Sequence, residues 1–201
     1  MIAIIDYDAG NIKSVEKAFQ FLGKEAVITR DPATILKADR VVLPGVGNFG
    51  DAMGNLEKYG LVPVIGKVVE EKIPFLGICV GMQLLFEGSE ESPGVKGLGL
   101  LRGSCRRFED IPGMKVPQIG WNSIFPMNGG ELFKEIPSGS YVYFVHSYHV
   151  VAENLNAVKA VSEYSTIFHA SVQKGNIFAT QFHPEKSGDV GMAILRNFLK
   201  V

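Results

Sequence analysis

Five consecutive residues, Gly77-Ile78-Cys79-Val80-Gly81, set a thiol between two glycines. The apolar run Phe75 to Ile78 ahead of it predicts a strand, and the periodicity of Met82 to Glu87 behind it predicts a helix. A nucleophile on a sharp strand-to-helix turn is lifted above the sheet, and only glycine at both flanks avoids a clash there. A helix start also favours negative charge on the sulfur, and the Val80 amide is placed to meet a developing oxyanion. Cysteine in an apolar run is often only a buried thiol, so the spacing nominates Cys79 without deciding for it. Cys105, in Gly103-Ser104-Cys105-Arg106-Arg107, has no such turn. It reads as a buried thiol that neighbouring arginines would acidify modestly.

A thiol nucleophile needs a base, and the base needs orienting. The chain offers His146, His149, His169 and His183. His183 follows the strand-like run Ile177 to Thr180 within Gln181-Phe182-His183-Pro184-Glu185-Lys186. Pro184 pushes His183 into an extended conformation, where residues two apart face one side, so Glu185 is expected beside the imidazole. A carboxylate that holds one ring nitrogen frees the other for the thiol. Alone the segment reads as a surface turn; beside a cysteine elbow it reads as base and orienter.

Pro44-Gly45-Val46-Gly47 directly follows the apolar run Val41 to Leu43. A glycine-rich turn at a strand's carboxyl end exposes backbone amides where open parallel sheets bind ligands. The Lys-Ser/Thr ending of a phosphate loop is missing. As a second oxyanion donor beside Val80, the stretch holding Val46 and Gly47 makes chemical sense; as structure it is a tight turn. Cysteine-based acyl transfer of this kind calls for no metal or organic cofactor, and two cysteines are too few for a zinc cage.

The elements that must carry these groups alternate. Ile2 to Asp6 is strand-like, and Ile12, Val15, Phe19 and Leu22 recur at helical spacing before Gly23. Ala26 to Thr29 is strand-like, and Asp31-Pro32 opens a helix through a capping side chain and a proline at the first turn. The order β-α-β-α-β-α-β-α predicts an α/β protein with a mostly parallel central sheet flanked by helices. After Gly88, short segments at Arg102 to Phe108, Tyr141 to Val145, Ala157 to Val161, Ile167 to Gln173 and Ile177 to Thr180 predict antiparallel hairpins appended to that sheet. A last helix is expected at about Val190 to Leu199.

Bulk properties narrow the classes. At 201 residues, with no linker or repeat, residues 1–201 are expected to form a single domain. Hydrophobic residues at 46% against 20% charged supply a core. A net charge of −1 with scattered Lys and Arg excludes the basic stripe on which nucleic-acid binding rests. The apolar stretch Ile73 to Phe86 is too short to span a bilayer, and Met1 to Asp6 reads as a first strand rather than a signal peptide. The expected location is the cytoplasm, with no membrane partner.

Taken together, Pro44-Gly45-Val46-Gly47, Gly77-Ile78-Cys79-Val80-Gly81-Met82-Gln83 and His183-Pro184-Glu185 resemble the class I, triad-type glutamine amidotransferases in family order over nearly the whole chain. Within that family, Asp6 to Asn11, Pro117 to Asn122, Tyr143 to Tyr148 and His183 to Ser187 are similar to the glutaminase subunits of imidazole glycerol phosphate synthases. The resemblance implies a flavodoxin-like fold, L-glutamine as substrate, and Cys79, His183 and Glu185 as the triad. It further implies Gly45, Gln83, Glu91, His146, Ser147 and Tyr148 as substrate-holding residues. Its implied partner is a (β/α)₈-barrel cyclase subunit that receives the ammonia in a heterodimer, in histidine biosynthesis. Asn11, Pro117, Gln118, Ile119, Trp121 and Asn122 are the expected contacts to that partner. One departure stands out: Asp8 occupies a position where the family often has glycine.

Overall fold

A computed structural model describes all 201 residues. The first half runs β1 (Ile2–Ile5), α1 (Ile12–Phe21), β2 (Ala26–Thr29), α2 (Pro32–Leu36), β3 (Arg40–Leu43), α3 (Phe49–Lys58), α4 (Leu61–Glu70), β4 (Phe75–Ile78) and α5 (Val80–Gln83). The second half runs β5 (Gly103–Arg107), β6 (Gln118–Pro126), β7 (Ser140–His146), β8 (Tyr148–Ala152), β9 (Val158–Glu163), β10 (Ile167–Lys174), β11 (Ile177–Thr180) and α6 (Gly188–Phe198).

Nine strands form one sheet in the order β2-β1-β3-β4-β11-β10-β9-β6-β7, and β5 pairs with β8 apart from it. The first five are mutually parallel, with Ile2 opposite Ala26 and Arg40, Val41 opposite Phe75, and Phe75 opposite Ile177. The pairings β11–β10, β10–β9, β9–β6 and β6–β7 are antiparallel. The parallel block has the doubly wound order in which ligands sit at the carboxyl ends of the strands. Every residue of β1, β4 and β11 is buried, as strands covered by helices on both faces require.

Three expectations are corrected. Ile177 to Thr180 forms the expected antiparallel hairpin with β10, but it is not outlying: it also pairs with β4 as the fifth parallel strand, which carries the chain directly from the sheet core to His183. The helix after Cys79 spans Val80–Gln83, not Met82 to Glu87, because Gly97, Leu98, Gly99 and Leu101 return to bond the carbonyls of residues 84–87. Strands β6 and β8 were not foreseen as strands; Gly120 at φ +131 and the two-sided polarity of β6 mask its alternation.

Helix ends are closed locally. Asp31 caps α2 by accepting from Thr34 N at 2.9 Å, as expected of Asp before Pro. At the other end of the chain, the Arg40 guanidinium donates to the carbonyls of Phe198, Leu199 and Val201 at 2.6–3.0 Å, tying the end of α6 to β3. No helix is long and apolar enough to cross a membrane.

Candidate active site

Cys79 leaves β4 at φ +55 and ψ −111, a backbone conformation that non-glycine residues rarely adopt. Neighbouring backbone enforces it: Cys79 N donates to Thr180 O at 2.8 Å, and a Cβ at Gly81 would lie 2.0 Å from the Leu43 carbonyl oxygen. A Cβ at Gly45 would lie 2.6 Å from Gly81 N, so the Pro44–Gly47 turn rests directly on the elbow. The turn is fixed at both ends. Tyr7 Oη donates to Pro44 O at 2.6 Å, and downstream Glu91 Oε2 accepts from Phe49 N at 2.8 Å at the start of α3. Burial, followed by the charge of Cys79, pushes the Tyr7 phenol far up, so it stays a donor.

His183 is extended, at φ −95 and ψ 97, as the following proline requires. Glu185 reaches it differently from the sequence expectation. It lies in a 3₁₀ turn, Pro184–Lys186, that curls the carboxylate back so that His183 Nδ1 donates to Glu185 Oε1 at 2.8 Å. Both side chains are buried. The carboxylate has a second donor that the sequence pointed elsewhere: Asn11 Nδ2, at 2.6 Å from the same Oε1. Asn11 is the N-cap of α1 in a left-handed conformation, φ 64, and its side chain makes no cap bond. Ser187 pins the base from behind, its Oγ donating to His183 O at 2.6 Å and accepting from Tyr143 N at 2.9 Å.

With Nδ1 held, His183 Nε2 makes no well-formed hydrogen bond within the chain. Burial disfavours charge on the ring. The nearby Cys79 sulfur and the Glu185 carboxylate outweigh burial and push the imidazole up to about 10. Cys105 behaves oppositely. It is fully buried, and burial, with a smaller contribution from Glu91, pushes its thiol far up rather than acidifying it as the adjacent arginines suggested.

Cys79 and His183 open on one cavity of about 400 Å³, shared with Val46, Gly47, Val80, Gln83, Glu91, Pro117, Val145, His146, Ser147, Tyr148 and Lys186. Most of the expected substrate-holding residues are therefore on its wall, but several have their polar atoms committed to the protein. Gln83 Nε2 donates to Tyr148 O at 2.9 Å and Gln181 Oε1 at 3.1 Å. His146 is held neutral by burial, down to about 3, with Nδ1 2.9 Å from Tyr148 O. A neutral ring bonded to that carbonyl carries its proton on Nδ1, which leaves Nε2 an acceptor; the atom 3.1 Å from it is Gln118 Oε1, also an acceptor, so the Gln118 amide must turn over to present its NH₂ to the ring. Gly45 stands behind the wall rather than on it.

A wider, open groove of about 590 Å³ runs along β6 and holds Ile119, Trp121 and Asn122. It is larger than the thiol-bearing cavity but its lining has neither cysteine nor histidine, so size does not mark the reaction centre. Ile119 and Trp121 are 64% and 55% exposed, as a partner surface needs. Gln118 borders the same groove but is buried at 3% beside His146, and the half-buried Asn11 turns its side chain to Glu185. Pro117 lines the inner cavity. Missed altogether were Gln181, Ser187, Lys186 and Tyr7; the first three flank the expected base, and that adjacency was their only signal.

Residues 3–201 match the family model of glutamine amidotransferase class-I. The chain is 47% identical over 201 residues to the imidazole glycerol phosphate synthase subunit HisH of Methanocaldococcus jannaschii, covering 100% of each. It is 50% identical to the HisH subunit of Bacillus mycoides, covering 98% of this chain and 93% of that one. Among solved structures, that of PurLQS from Thermotoga maritima superposes with TM-score 0.77 at 18% identity over 99% of this chain and 97% of that chain. A crystal structure of a glutamine amidotransferase gives 0.75 at 20% identity, covering 100% and 98%. At such identities these two speak for the fold.

Proposed function

The chain belongs to the class I glutamine amidotransferases, and from that premise we propose that it is the glutaminase subunit of an imidazole glycerol phosphate synthase, releasing ammonia from L-glutamine for a (β/α)₈-barrel cyclase in histidine biosynthesis. The observation that carries the chemistry is the convergence of Cys79, His183 and Glu185 on one cavity at the carboxyl ends of β4 and β11.

In this reading the Cys79 thiolate attacks the side-chain amide carbon of glutamine. The amides of Val80 and of the Val46–Gly47 stretch receive the oxyanion. Protonated His183 passes its proton to the departing nitrogen as the C–N bond breaks, leaving a γ-glutamyl thioester and ammonia. Neutral His183 then takes a proton from water, the hydroxide adds to the thioester, and collapse expels the thiolate with glutamate as product. Glu185, itself held by Asn11, keeps the imidazole oriented through both halves.

Ammonia in neutral water is mostly ammonium and no nucleophile, so the product needs a covered route to an acceptor enzyme. The exposed Ile119 and Trp121 face is the proposed contact to the cyclase, joined in part by Asn122. Residues 1–201 work as one catalytic domain, located in the cytoplasm. The test is glutamate release by the full chain with and without a purified barrel cyclase of this pathway. The reading predicts strong stimulation by the cyclase and none in Cys79→Ala; glutamate release that survives in Cys79→Ala contradicts it.

A further inference from the structure

Gln181 sits between the end of β11 and His183 and is fully buried. Its side-chain Nε2 lies 3.7 Å from Cys79 Sγ, within reach of an N–H···S bond. Amide nitrogen and oxygen are interchangeable in shape, so which of them faces the sulfur has to follow from the bonding around it. Here the bonding decides. The Tyr148 carbonyl can only accept, so the Gln83 atom 2.9 Å from it is the NH₂ group. The second N–H of that group points at the Gln181 amide 3.1 Å away, which must therefore present its oxygen. With Oε1 fixed on Gln83, Nε2 faces Cys79. The sequence Tyr148 O, Gln83, Gln181, Cys79 thus has one direction only, set by a backbone carbonyl that cannot turn over.

We propose that Gln181 is a catalytic residue for the triad chemistry: its amide N–H holds the Cys79 sulfur as thiolate, and Gln83 fixes the donor's direction. The donor acts when the sulfur is charged, in the resting enzyme and again when thiolate is expelled from the thioester. It loses its purpose while the acyl group is attached. Being on the side of the sulfur supplied by β11, it needs no substrate to form. Gln83 accordingly has a role that does not depend on contact with glutamine. The proposal rests on Cys79 being the nucleophile, as read above.

Thiol reactivity tests it without glutamine. The full chain is alkylated with iodoacetamide across a pH series, and modification of the Cys79 peptide is followed by mass spectrometry, which separates it from Cys105. A charge-assisted hydrogen bond is strong enough that its loss moves the midpoint up by about one pH unit, a roughly tenfold slower reaction at pH values below the midpoint. Gln181→Met is expected to show that shift, and Gln83→Met, which frees Gln181 to turn over, a smaller one in the same direction. An unchanged profile in folded Gln181→Met overturns the proposal. Because loss of a buried amide can unfold the chain, the same question is put to the unmutated protein by nuclear magnetic resonance. The Gln181 side-chain amide protons should shift as the thiol titrates and again on alkylation, and amide signals indifferent to both also overturn it. If Cys79→Ala still releases glutamate, the functional reading fails whatever Gln181 does, so the two failures are distinguishable.

Discussion

Asn11 Nδ2 donates to Glu185 Oε1 at 2.6 Å, joining residues 174 positions apart in the chain. The bond explains why a helix N-cap leaves its own helix uncapped. The side chain is diverted to the triad carboxylate, and the loop between β1 and α1 becomes part of the catalytic framework.

Removing that donor should misorient the base. Asn11→Gly keeps the left-handed backbone without strain but loses a hydrogen bond to a charged group, worth about 1.5–3 kcal/mol. The expected result is a fall of about tenfold or more in kcat for glutamate release with KM little changed. Asn11→Asp, which sets a second carboxylate against Glu185, should be worse. Steady-state kinetics of the cyclase-stimulated reaction checks both.

Stability should peak near neutral pH. His183 is raised from 6.5 to about 10 because the Cys79 sulfur and Glu185 outweigh burial, so its contribution is whole below about pH 6.5 and lost as pH rises through about 10. His146 is depressed by burial to about 3, so the unfolded chain takes up its proton first and stability falls from pH 6.5 towards 3. Scanning calorimetry across pH should show both limbs. The alkaline limb should flatten in Glu185→Gln and Cys79→Ala, and a limb unchanged from that of the unmutated chain in both variants would count against the pairing.

Two glycines should respond in opposite senses to alanine. Gly81→Ala drives a methyl to 2.0 Å from the Leu43 carbonyl, so it should cost about 3 kcal/mol or more and abolish activity. Gly54 lies exposed in α3 with nothing within 4 Å of an added Cβ, so Gly54→Ala should gain about 0.5–1 kcal/mol. Denaturant melts of the two variants measure the contrast.

Asp8 sits at φ +64, in the left-handed region that favours glycine. Two groups hold it there. Arg30 Nη2 donates to its carboxylate at 2.8 Å while the guanidinium lies 4.1 Å from the centre of the Tyr59 ring, and Tyr59 Oη donates to the other oxygen. Asp8→Ala keeps the strain and loses these bonds, whereas Asp8→Gly loses both. The alanine variant should melt below both the glycine variant and the unmutated chain, and an alanine variant as stable as the unmutated chain would show that the network does not set this loop.

What the sequence revealed follows from distance along the chain. The elbow was legible because glycines lie two residues to either side of the nucleophile, whereas the close approach of Gly81 to Leu43 O emerges only in the fold. His183 was legible because Pro184 restricts it. Glu185 was found through an extended geometry that the protein does not use; the 3₁₀ turn reaches the same partner. Asn11, Gln181 and Tyr7 were illegible in role because each acts across strands that become neighbours only when β1, β3, β4 and β11 are laid side by side. Gln118 was named only through the resemblance of Pro117 to Asn122, and that gave no sign that strand alternation turns its side chain inward to His146.

The central claim is a covalent γ-glutamyl thioester on Cys79, and the most direct measurement is rapid acid quench of the cyclase-stimulated chain turning over radiolabelled glutamine, followed by peptide mapping. The account predicts label on the peptide that contains Cys79, released by base or hydroxylamine and absent in Cys79→Ala. Label on another residue, or glutamate accumulating with no labelled peptide under conditions that trap thioesters, would contradict it.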